Sequence, residues 1–269
     1  MANALKLMAV LAHPDDECLG NGGILAKYAA EGVETYLVTA TRGERGWFGS
    51  ESDNPGLEAL GRIREAELCA AAEVLGIHHV DLLGYIDGDL DTANPTEAVA
   101  KIAGYLRQVR PQVVVTFGQY GAYGHPDHIA ISQFTTAAIV RAADPNWVDP
   151  SGLASYSVSK LYYMAETSQL FAVYQSVFGD LIMNIDGVKR GAVTWPDWSI
   201  TTLIDTWAYW PTVWRAICCH QTQVPAYHVL ENLSEEQRCA LWGSQSYYRA
   251  FSLVNGGRHL ETDLFEGIR

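Results

Sequence analysis

Residues 5–17, LKLMAVLAHPDDE, join a continuous apolar run to a dense group of charged side chains. The apolar run, 5–12, shows no alternation of apolar and polar residues, which is typical of a parallel strand buried on both faces. It is too short to span a bilayer. It also leads directly into charged residues without a small-residue cleavage site, so we do not expect a signal peptide. The stretch predicts the first strand of a buried sheet, with a polar loop at its carboxyl end.

Helical and strand patterns alternate along the residues that follow. The predicted helices cover 20–30, 57–75, 96–109 and about 126–142, and the predicted strands cover 33–41, 79–83, 113–117 and 161–164. Such alternation is typical of parallel strands joined by crossover helices. The predicted fold class is therefore α/β, a Rossmann-like, mostly parallel sheet flanked by helices. Sheets of this kind bind ligands beyond the carboxyl ends of their strands, and we expect the functional residues directly after strands one, two and four.

We expect a single domain over residues 1–269, with a core at about 5–166 and a smaller, Trp-rich C-terminal subdomain at about 167–269. Residues 193–214 hold five of the eight tryptophans. They predict either a packed aromatic subdomain or a rim that stacks on a sugar face or holds the partner of a homo-oligomer. Residues 42–56, rich in Gly, Ser, Asp and Asn, predict a long surface loop of the kind that often forms a lid.

The first cluster of polar residues lies immediately after the first strand. It contains His13 and three carboxylic acids, Asp15, Asp16 and Glu17. Charged groups packed this densely at a strand end are costly to bury unless they are paired or bind a metal. Imidazole and carboxylate are good ligands for Zn²⁺. The alternative is a solvated polar loop that caps a helix.

The second cluster, residues 123–128, reads YGHPDH and follows the fourth strand. Pro126 suits the first position of a helix, so His125 lies at the helix cap and His128 one turn further on. If strands one and four bracket the switch point of the sheet, the two HPD motifs meet in one crevice. Three protein ligands and one open position would result, the pattern of catalytic rather than structural zinc.

At this point the chain resembles the LmbE/PIG-L-like family of zinc-dependent deacetylases, of the N-acetylglucosaminyl deacetylase type. The two family motifs AHPDDE and HPDH occur as Ala12–Glu17 and His125–His128. Three weaker matches are TRGE at 41–44, REAEL at 64–68 and HQTQ at 220–223. One departure is visible at 117–120, FGQY, where members often carry Asp or Asn. It concerns a substrate contact rather than the metal site.

The resemblance implies roles for the residues of both motifs. It assigns His13, Asp16 and His128 to the metal and Asp15 to the general base that activates a water molecule. The hydroxyl of Tyr123 would stabilise the oxyanion of the tetrahedral intermediate. His125 would protonate the leaving amine or stabilise charge as imidazolium.

Four further positions are candidates for supporting roles. Asp127 is expected to orient a histidine from behind. Arg64 is a candidate for holding a substrate oxygen, and its alternative is an exposed helix charge. Glu44 is a candidate for contacting a sugar hydroxyl or the surroundings of the metal. His220 is expected either to line the pocket or to be a buried structural histidine.

The composition limits the class of partner. The formal net charge is −13 and there is no Lys/Arg cluster, which argues against nucleic acid and against anionic membrane surfaces. The five cysteines have no regular spacing, which favours reduced thiols and a cytoplasmic location. The expected partner is a small N-acetylated sugar or conjugate. The expected metal is Zn²⁺, although a His/carboxylate site also accepts Fe²⁺, Mn²⁺ or Co²⁺.

Three other functions remain as alternatives. A nucleotide-binding Rossmann protein is disfavoured, because GxGxxG is absent and two acids would repel phosphate where the pyrophosphate would lie. A non-catalytic relative would use the same pocket only for binding. An amidase acting on a thiol conjugate or another N-acyl compound would keep the chemistry and change the substrate.

Overall fold

The structure of the chain is a computed structural model that describes residues 4–179, 182–185 and 187–269. The strands are β1 Lys6–Leu11, β2 Glu34–Thr41, β3 His79–Tyr85, β4 Val113–Thr116, β5 Lys160–Met164, β6 Ile182–Ile185, β7 Val188–Gly191, β8 Thr202–Asp205 and β9 Ser244–Ser252. The helices are α1 Asp16–Leu19, α2 Gly22–Ala30, α3 Leu57–Leu75, α4 Pro95–Val109, α5 Gly121–Gly124, α6 Pro126–Ala143, α7 Ser168–Phe178, α8 Trp210–Ile217, α9 Val224–Glu231 and α10 Glu235–Trp242.

One seven-stranded sheet, in the order β3-β2-β1-β4-β5-β9-β8, forms the centre of the molecule. Strands β1 to β5 are parallel, whereas β9 is antiparallel to β5 and β8 is antiparallel to β9. Helices α2, α3 and α8 pack together, as do α4 and α6. The predicted α/β class with a mostly parallel sheet is confirmed.

The apolar run that opens the sequence is the buried central strand. Residues 7–11 of β1 have no exposed surface, and β1 pairs with β2 on one side and β4 on the other. The direction of winding therefore reverses between β1 and β4. This is the topological switch point of the sheet, where ligands bind in open α/β folds.

The predicted helix over 20–30 is α2, which begins two residues later than predicted. Helix α1 ends at Leu19, and α2 begins at Gly22. Gly20 lies in the gap, where an added Cβ would stand 2.1 Å from Cε of Met164. A larger residue at this position would therefore have to displace the end of the Met164 side chain.

The C-terminal residues return to the sheet of the core. Strand β9 pairs with β5, and β8 forms the edge beside β9. Within the Trp-rich segment, Trp195 is buried, whereas Trp198 is 87% exposed and Trp207 is 64% exposed. None of the helices in the described residues is long and apolar enough to cross a lipid bilayer.

Glu261, near the C-terminal end, forms a buried ionic network with side chains of β5 and β9. The carboxylate of Glu261 accepts hydrogen bonds from Lys160 Nζ at 2.7 Å, Arg249 Nη1 at 2.6 Å and Tyr162 Oη at 2.8 Å. Burial would raise the pKa of this carboxyl, but the hydrogen bonds from Lys160 and its neighbours outweigh burial and lower the pKa to about 2.

Replacing Glu261 with Ala is expected to lower the free energy of unfolding by about 3–5 kcal/mol at neutral pH, because two cations lose a buried partner. The folded pKa of about 2 lies below the ordinary value of 4.5. The contribution is therefore complete above pH 4.5 and disappears as the pH falls towards 2. Urea unfolding at several pH values measures both effects. Glu58→Ala, which removes an exposed pair with Arg62, is the control and is expected to change little.

Candidate active site

A cavity of about 700 Å³ opens at the carboxyl ends of the parallel strands. His13, Asp15 and Asp16 enter it from the segment after β1. Residues 123, 125 and 128 enter it from the segment after β4. The two HPD motifs therefore meet at the switch point, as the strand order predicts, and His13 and His128, 115 residues apart in the chain, come into contact.

Three candidate ligands lie at the floor of this cavity. His13 Nδ1 is 3.2 Å from His128 Nε2, His128 Nε2 is 3.4 Å from Asp16 Oδ1, and His13 Nδ1 is 3.8 Å from Asp16 Oδ2. Tetrahedral ligands with bonds of about 2.0–2.1 Å stand about 3.4 Å apart. Two imidazole nitrogens and one carboxylate at this spacing fit a divalent metal such as Zn²⁺.

His125 also lies near the two histidine ligands. One ring nitrogen from each of His13, His125 and His128 can be chosen so that the three atoms lie within 4.8 Å of one another. However, Nδ1 of His125 accepts a hydrogen bond from the N–H of Asp127 and caps α6. Asp16 is held in place by hydrogen bonds from the N–H groups of Ala12 and His13 at 3.1 and 2.7 Å. Asp16 and His125 are therefore both candidates for a third ligand beside His13 and His128.

The far edge of His13 is fixed by two carboxylates. Nε2 of His13 lies 3.1 Å from Asp127 Oδ2 and 3.1 Å from Asp87 Oδ1. Asp127 is fully buried and accepts hydrogen bonds from the N–H groups of Gly88 and Leu90. In the neutral form of His13, a proton on Nε2 leaves Nδ1 unprotonated and directed towards His128 and Asp16. A carboxylate behind a histidine ligand is the usual support in metal sites.

Without a metal, the candidate ligands His13, Asp16 and His128 differ in their pKa shifts. Burial lowers the pKa of His128, and the nearby His13 and His125 lower it further, so this imidazole is neutral. Burial opposes a charge on His13, but hydrogen bonds to Asp127 and Asp87 outweigh it and raise its pKa. Burial also raises the pKa of Asp16 to about 7. Metal binding must therefore displace protons, and its affinity increases with pH.

Asp15 adopts a backbone conformation with positive φ, which is uncommon for residues other than glycine. Its φ is 100° and its ψ is −24°. Strain of this kind costs on the order of 1–3 kcal/mol and is concentrated at functional sites. The side chain turns to the cavity, where Oδ2 accepts a hydrogen bond from Arg64 Nη2 at 3.2 Å.

Arg64 is a buried part of the site. It is 3% exposed and also donates to the carbonyls of Pro14 at 2.6 Å and Gly43 at 2.8 Å. The alternative of an exposed helix charge is therefore wrong. Arg64 follows Leu60 by four residues and precedes Leu68 by four, so it lies on the buried face of α3.

Tyr123 and His125 also line the cavity. The residue before Tyr123, Ala122, has a positive φ of 59°, a second strained position beside the site. The Tyr123 ring centroid lies 5.4 Å from that of His128 and 5.9 Å from that of His125. Burial raises the pKa of Tyr123, and the charges of Asp16 and Asp15 raise it further. The phenol therefore stays protonated and able to donate a hydrogen bond.

Two candidate substrate contacts do not line the cavity. Glu44 is buried, and its Oε2 accepts a hydrogen bond from the N–H of Asp87 at 3.2 Å. His220 is fully buried, and its Nε2 is 2.7 Å from Oε1 of Glu17. Glu44 thus contacts Asp87, which in turn contacts His13, in agreement with its alternative of a place in the surroundings of the metal. His220 matches its alternative, a buried histidine.

Two carboxylates in the cavity wall were not predicted. Asp87 follows β3 and accepts from His13, and Glu166 follows β5. Burial raises the pKa of Glu166 to about 7. Both follow parallel strands, so the rule that ligands bind beyond strand ends could have found them. The cavity also has apolar walls, to which Phe48 of the 42–56 loop and Phe171 and Tyr174 of α7 contribute.

Comparison with known proteins gives a consistent result. The family model PIG-L, described as GlcNAc-PI de-N-acetylase, matches residues 8–139. The chain is 33% identical to a 1D-myo-inositol 2-acetamido-2-deoxy-alpha-D-glucopyranoside deacetylase from Kineococcus radiotolerans, over 98% of this chain and 83% of the relative.

Two solved structures have a similar fold. The conserved protein TT1542 from Thermus thermophilus matches with a TM-score of 0.66 and 26% identity, over 94% of this chain and 97% of that chain. The N,N'-diacetylchitobiose deacetylase from Pyrococcus horikoshii matches with a TM-score of 0.69 and 21% identity, over 92% and 84% of the two chains. Together with the family match over residues 8–139, the long alignment to the Kineococcus relative establishes that the chain belongs to the LmbE/PIG-L deacetylase family.

Proposed function

We propose that this protein is a metal-dependent hydrolase that removes the N-acetyl group from an amino sugar or glycoconjugate. The observation that carries the proposal is the convergence of His13, Asp16 and His128 beside Asp15 in one cavity. The names of the relatives support the reaction, because the Kineococcus protein is named as a deacetylase of an acetamido-sugar inositol.

The metal ligands proposed are His13, Asp16 and His128, and the metal proposed is Zn²⁺. Fe²⁺, Mn²⁺ and Co²⁺ suit the same donors, because affinity alone does not select among divalent ions. Held by these three residues, a divalent ion would supply a water of lowered pKa, towards about 7, and would polarise the amide carbonyl.

Asp15 is the proposed general base. It is adjacent to a metal ligand in sequence, but its carboxylate is turned to Arg64 at 3.2 Å. It can therefore accept the proton of the attacking water while Asp16 stays with the metal, two neighbouring carboxylates with different roles. Arg64 is held by two carbonyls and keeps the carboxylate in place.

Tyr123 and His125 are proposed to act on the amide itself. A protonated Tyr123 donates a hydrogen bond to the oxyanion that develops on the carbonyl oxygen. His125 protonates the leaving nitrogen, so that the C–N bond breaks with release of an amine and a carboxylic acid. Asp127 supports the site in two ways. Its carboxylate contacts Nε2 of His13, and its backbone N–H donates a hydrogen bond to Nδ1 of His125.

The substrate is proposed to be a small N-acetylated sugar or conjugate. The cavity of about 700 Å³ accommodates a ligand of this size. An amidase acting on a thiol conjugate would use the same residues, and a binding relative would retain the pocket without turnover.

The five cysteines are all free thiols, which supports a cytoplasmic location.

The test of substrate class is amine release from a matched panel of acetamides. The panel contains GlcNAc, an N-acetylglucosaminyl inositol and an N-acetylated cysteine conjugate. We expect release from the sugars to exceed release from the conjugate by at least about tenfold in kcat/KM, since buried polar groups of the site would be left unpaired by the conjugate. Faster release from the cysteine conjugate would favour the thiol-conjugate amidase instead.

A further inference from the structure

A second ionic pair lies directly behind the cavity and has no part in the mechanism above. The carboxylate of Glu17 and the imidazole of His220 are both fully buried, with Oε1 and Nε2 2.7 Å apart. They are 203 residues apart in the chain, and His220 follows α8. Cys18 Sγ donates to the same oxygen of Glu17 at 2.9 Å.

The cluster has the chemistry of an ion pair rather than of a metal site. The separation of Glu17 and His220 is that of a direct hydrogen bond. The Cys18 thiol donates its proton to Oε1 of Glu17, the same oxygen that lies against His220. In the described part of the chain, Nδ1 of His220 has no hydrogen-bond partner.

The other oxygen of Glu17 reaches the backbone of Asp15. Oε2 accepts a hydrogen bond from the N–H of Asp15 at 2.9 Å. The carbonyl of Asp15 accepts from the N–H groups of Cys18 and Leu19, each at 3.0 Å. Both sides of this residue are therefore fixed, its N–H by a side chain and its C=O by the start of α1. Together they define the left-handed conformation, which an L-residue rarely adopts unaided.

We infer that Glu17 and His220 are a positioning pair that holds the backbone of Asp15 in its left-handed conformation, so that the Asp15 carboxylate faces Arg64 and the cavity. His220 acts on Glu17, Glu17 acts on Asp15, and neither contacts the cavity. The inference rests on the proposed function for its catalytic meaning. Its structural part, the control of the Asp15 backbone, stands independently.

The test compares two substitutions of Glu17 with different hydrogen bonding. Glu17→Met keeps the length of the side chain and loses both bonds. Glu17→Gln can accept from the Asp15 N–H and donate to a neutral His220, whose tautomer can switch because Nδ1 is unbonded. We expect Glu17→Met to lower kcat on the order of 10- to 100-fold with little change in KM or metal content, since a small misplacement of the base has this cost. Glu17→Gln is expected to restore most of kcat.

The matched control is Glu67→Met. Glu67 is also buried and also holds the segment after α8, through the N–H and hydroxyl of Thr222, each at 2.7 Å. Both of these hydrogen bonds go to Thr222 rather than to the backbone of Asp15, so kcat is expected to change by less than about threefold. If Glu67→Met matches Glu17→Met, general docking of the segment explains the loss and the inference is overturned.

A double-substitution cycle separates positioning from loss of structure. In an Asp15→Asn background there is no base to position, so Glu17→Met should lower the residual rate by no more than about twofold. An undiminished loss in that background overturns the inference. Equal losses in Glu17→Gln and Glu17→Met overturn it as well.

A crystal structure of Glu17→Met decides the structural part without any assay. We expect φ of Asp15 to leave the left-handed region and the Arg64 contact to be lost. An unchanged Asp15 contradicts the inference. If Glu17→Met does not fold, His220→Leu, rescued by His220→Gln, supplies the same comparison. A wild-type protein that releases no amine refutes the proposed function, whereas the crystal structure still decides the positioning of Asp15.

Discussion

Asp15→Asn is expected to lower kcat by about 10²–10⁴-fold while the protein retains its metal, because general-base catalysis contributes on this scale. Asparagine has the shape of aspartate and tolerates the left-handed conformation at φ 100° better than alanine does. The substitution therefore removes the base with little disturbance of the backbone. Amine release and metal content are measured on the same protein sample.

The control for this result is Asp144→Asn, an exposed residue after α6 that accepts from the N–H of Asn146. It is expected to retain the full rate. An Asp15→Asn protein that loses its metal would show that Asp15 is a ligand. One that keeps most of its rate would show that another group takes the proton.

His128→Ala is expected to weaken metal binding by more than about 100-fold, since even loss of a supporting group behind a ligand costs 10- to 100-fold. His128 supplies the nitrogen that lies within 3.4 Å of both other ligands. Its neutral form is the one that binds a metal, and burial keeps it neutral. Competition with a chromophoric chelator measures the affinity directly.

His78→Ala is the histidine control, because His78 is exposed and packs against Tyr36, on β2, rather than in the cavity. It should bind the metal as the wild type does. If His128→Ala binds the metal with unchanged affinity, the ligand set is wrong, and His125 becomes the second imidazole to test.

The parallel half of the fold could be predicted from sequence because its signals are local. Buried parallel strands are continuous apolar runs, and residues 113–116 and 7–11 are of this kind. Strand β9 could not be predicted in this way. Buried and less buried residues alternate only over 244–247, and the strand pairs with β5, where Tyr162 lies opposite Arg249, and with β8. Such long-range pairing leaves no pattern within either segment.

The candidate site was predictable where the motifs are dense and not where single residues act. The positions of His13 and His128 followed from strand ends and topology. The position of His220 did not, because a lone histidine carries no indication of its partner. Its partner, Glu17, belongs to the first motif, but the pairing exists only once α8 packs against α1.

The measurement that most directly tests the metal-dependent hydrolase is stoichiometric reconstitution. Metal is removed with a chelator, Zn²⁺ is added back in steps, and acetate release from the best N-acetylated sugar is followed at each step. We predict that the metal-free protein is inactive and that the rate rises linearly to a plateau at one Zn²⁺ per chain. Full activity without metal, or one tightly bound metal at His13, Asp16 and His128 with no acetate released, would contradict the account.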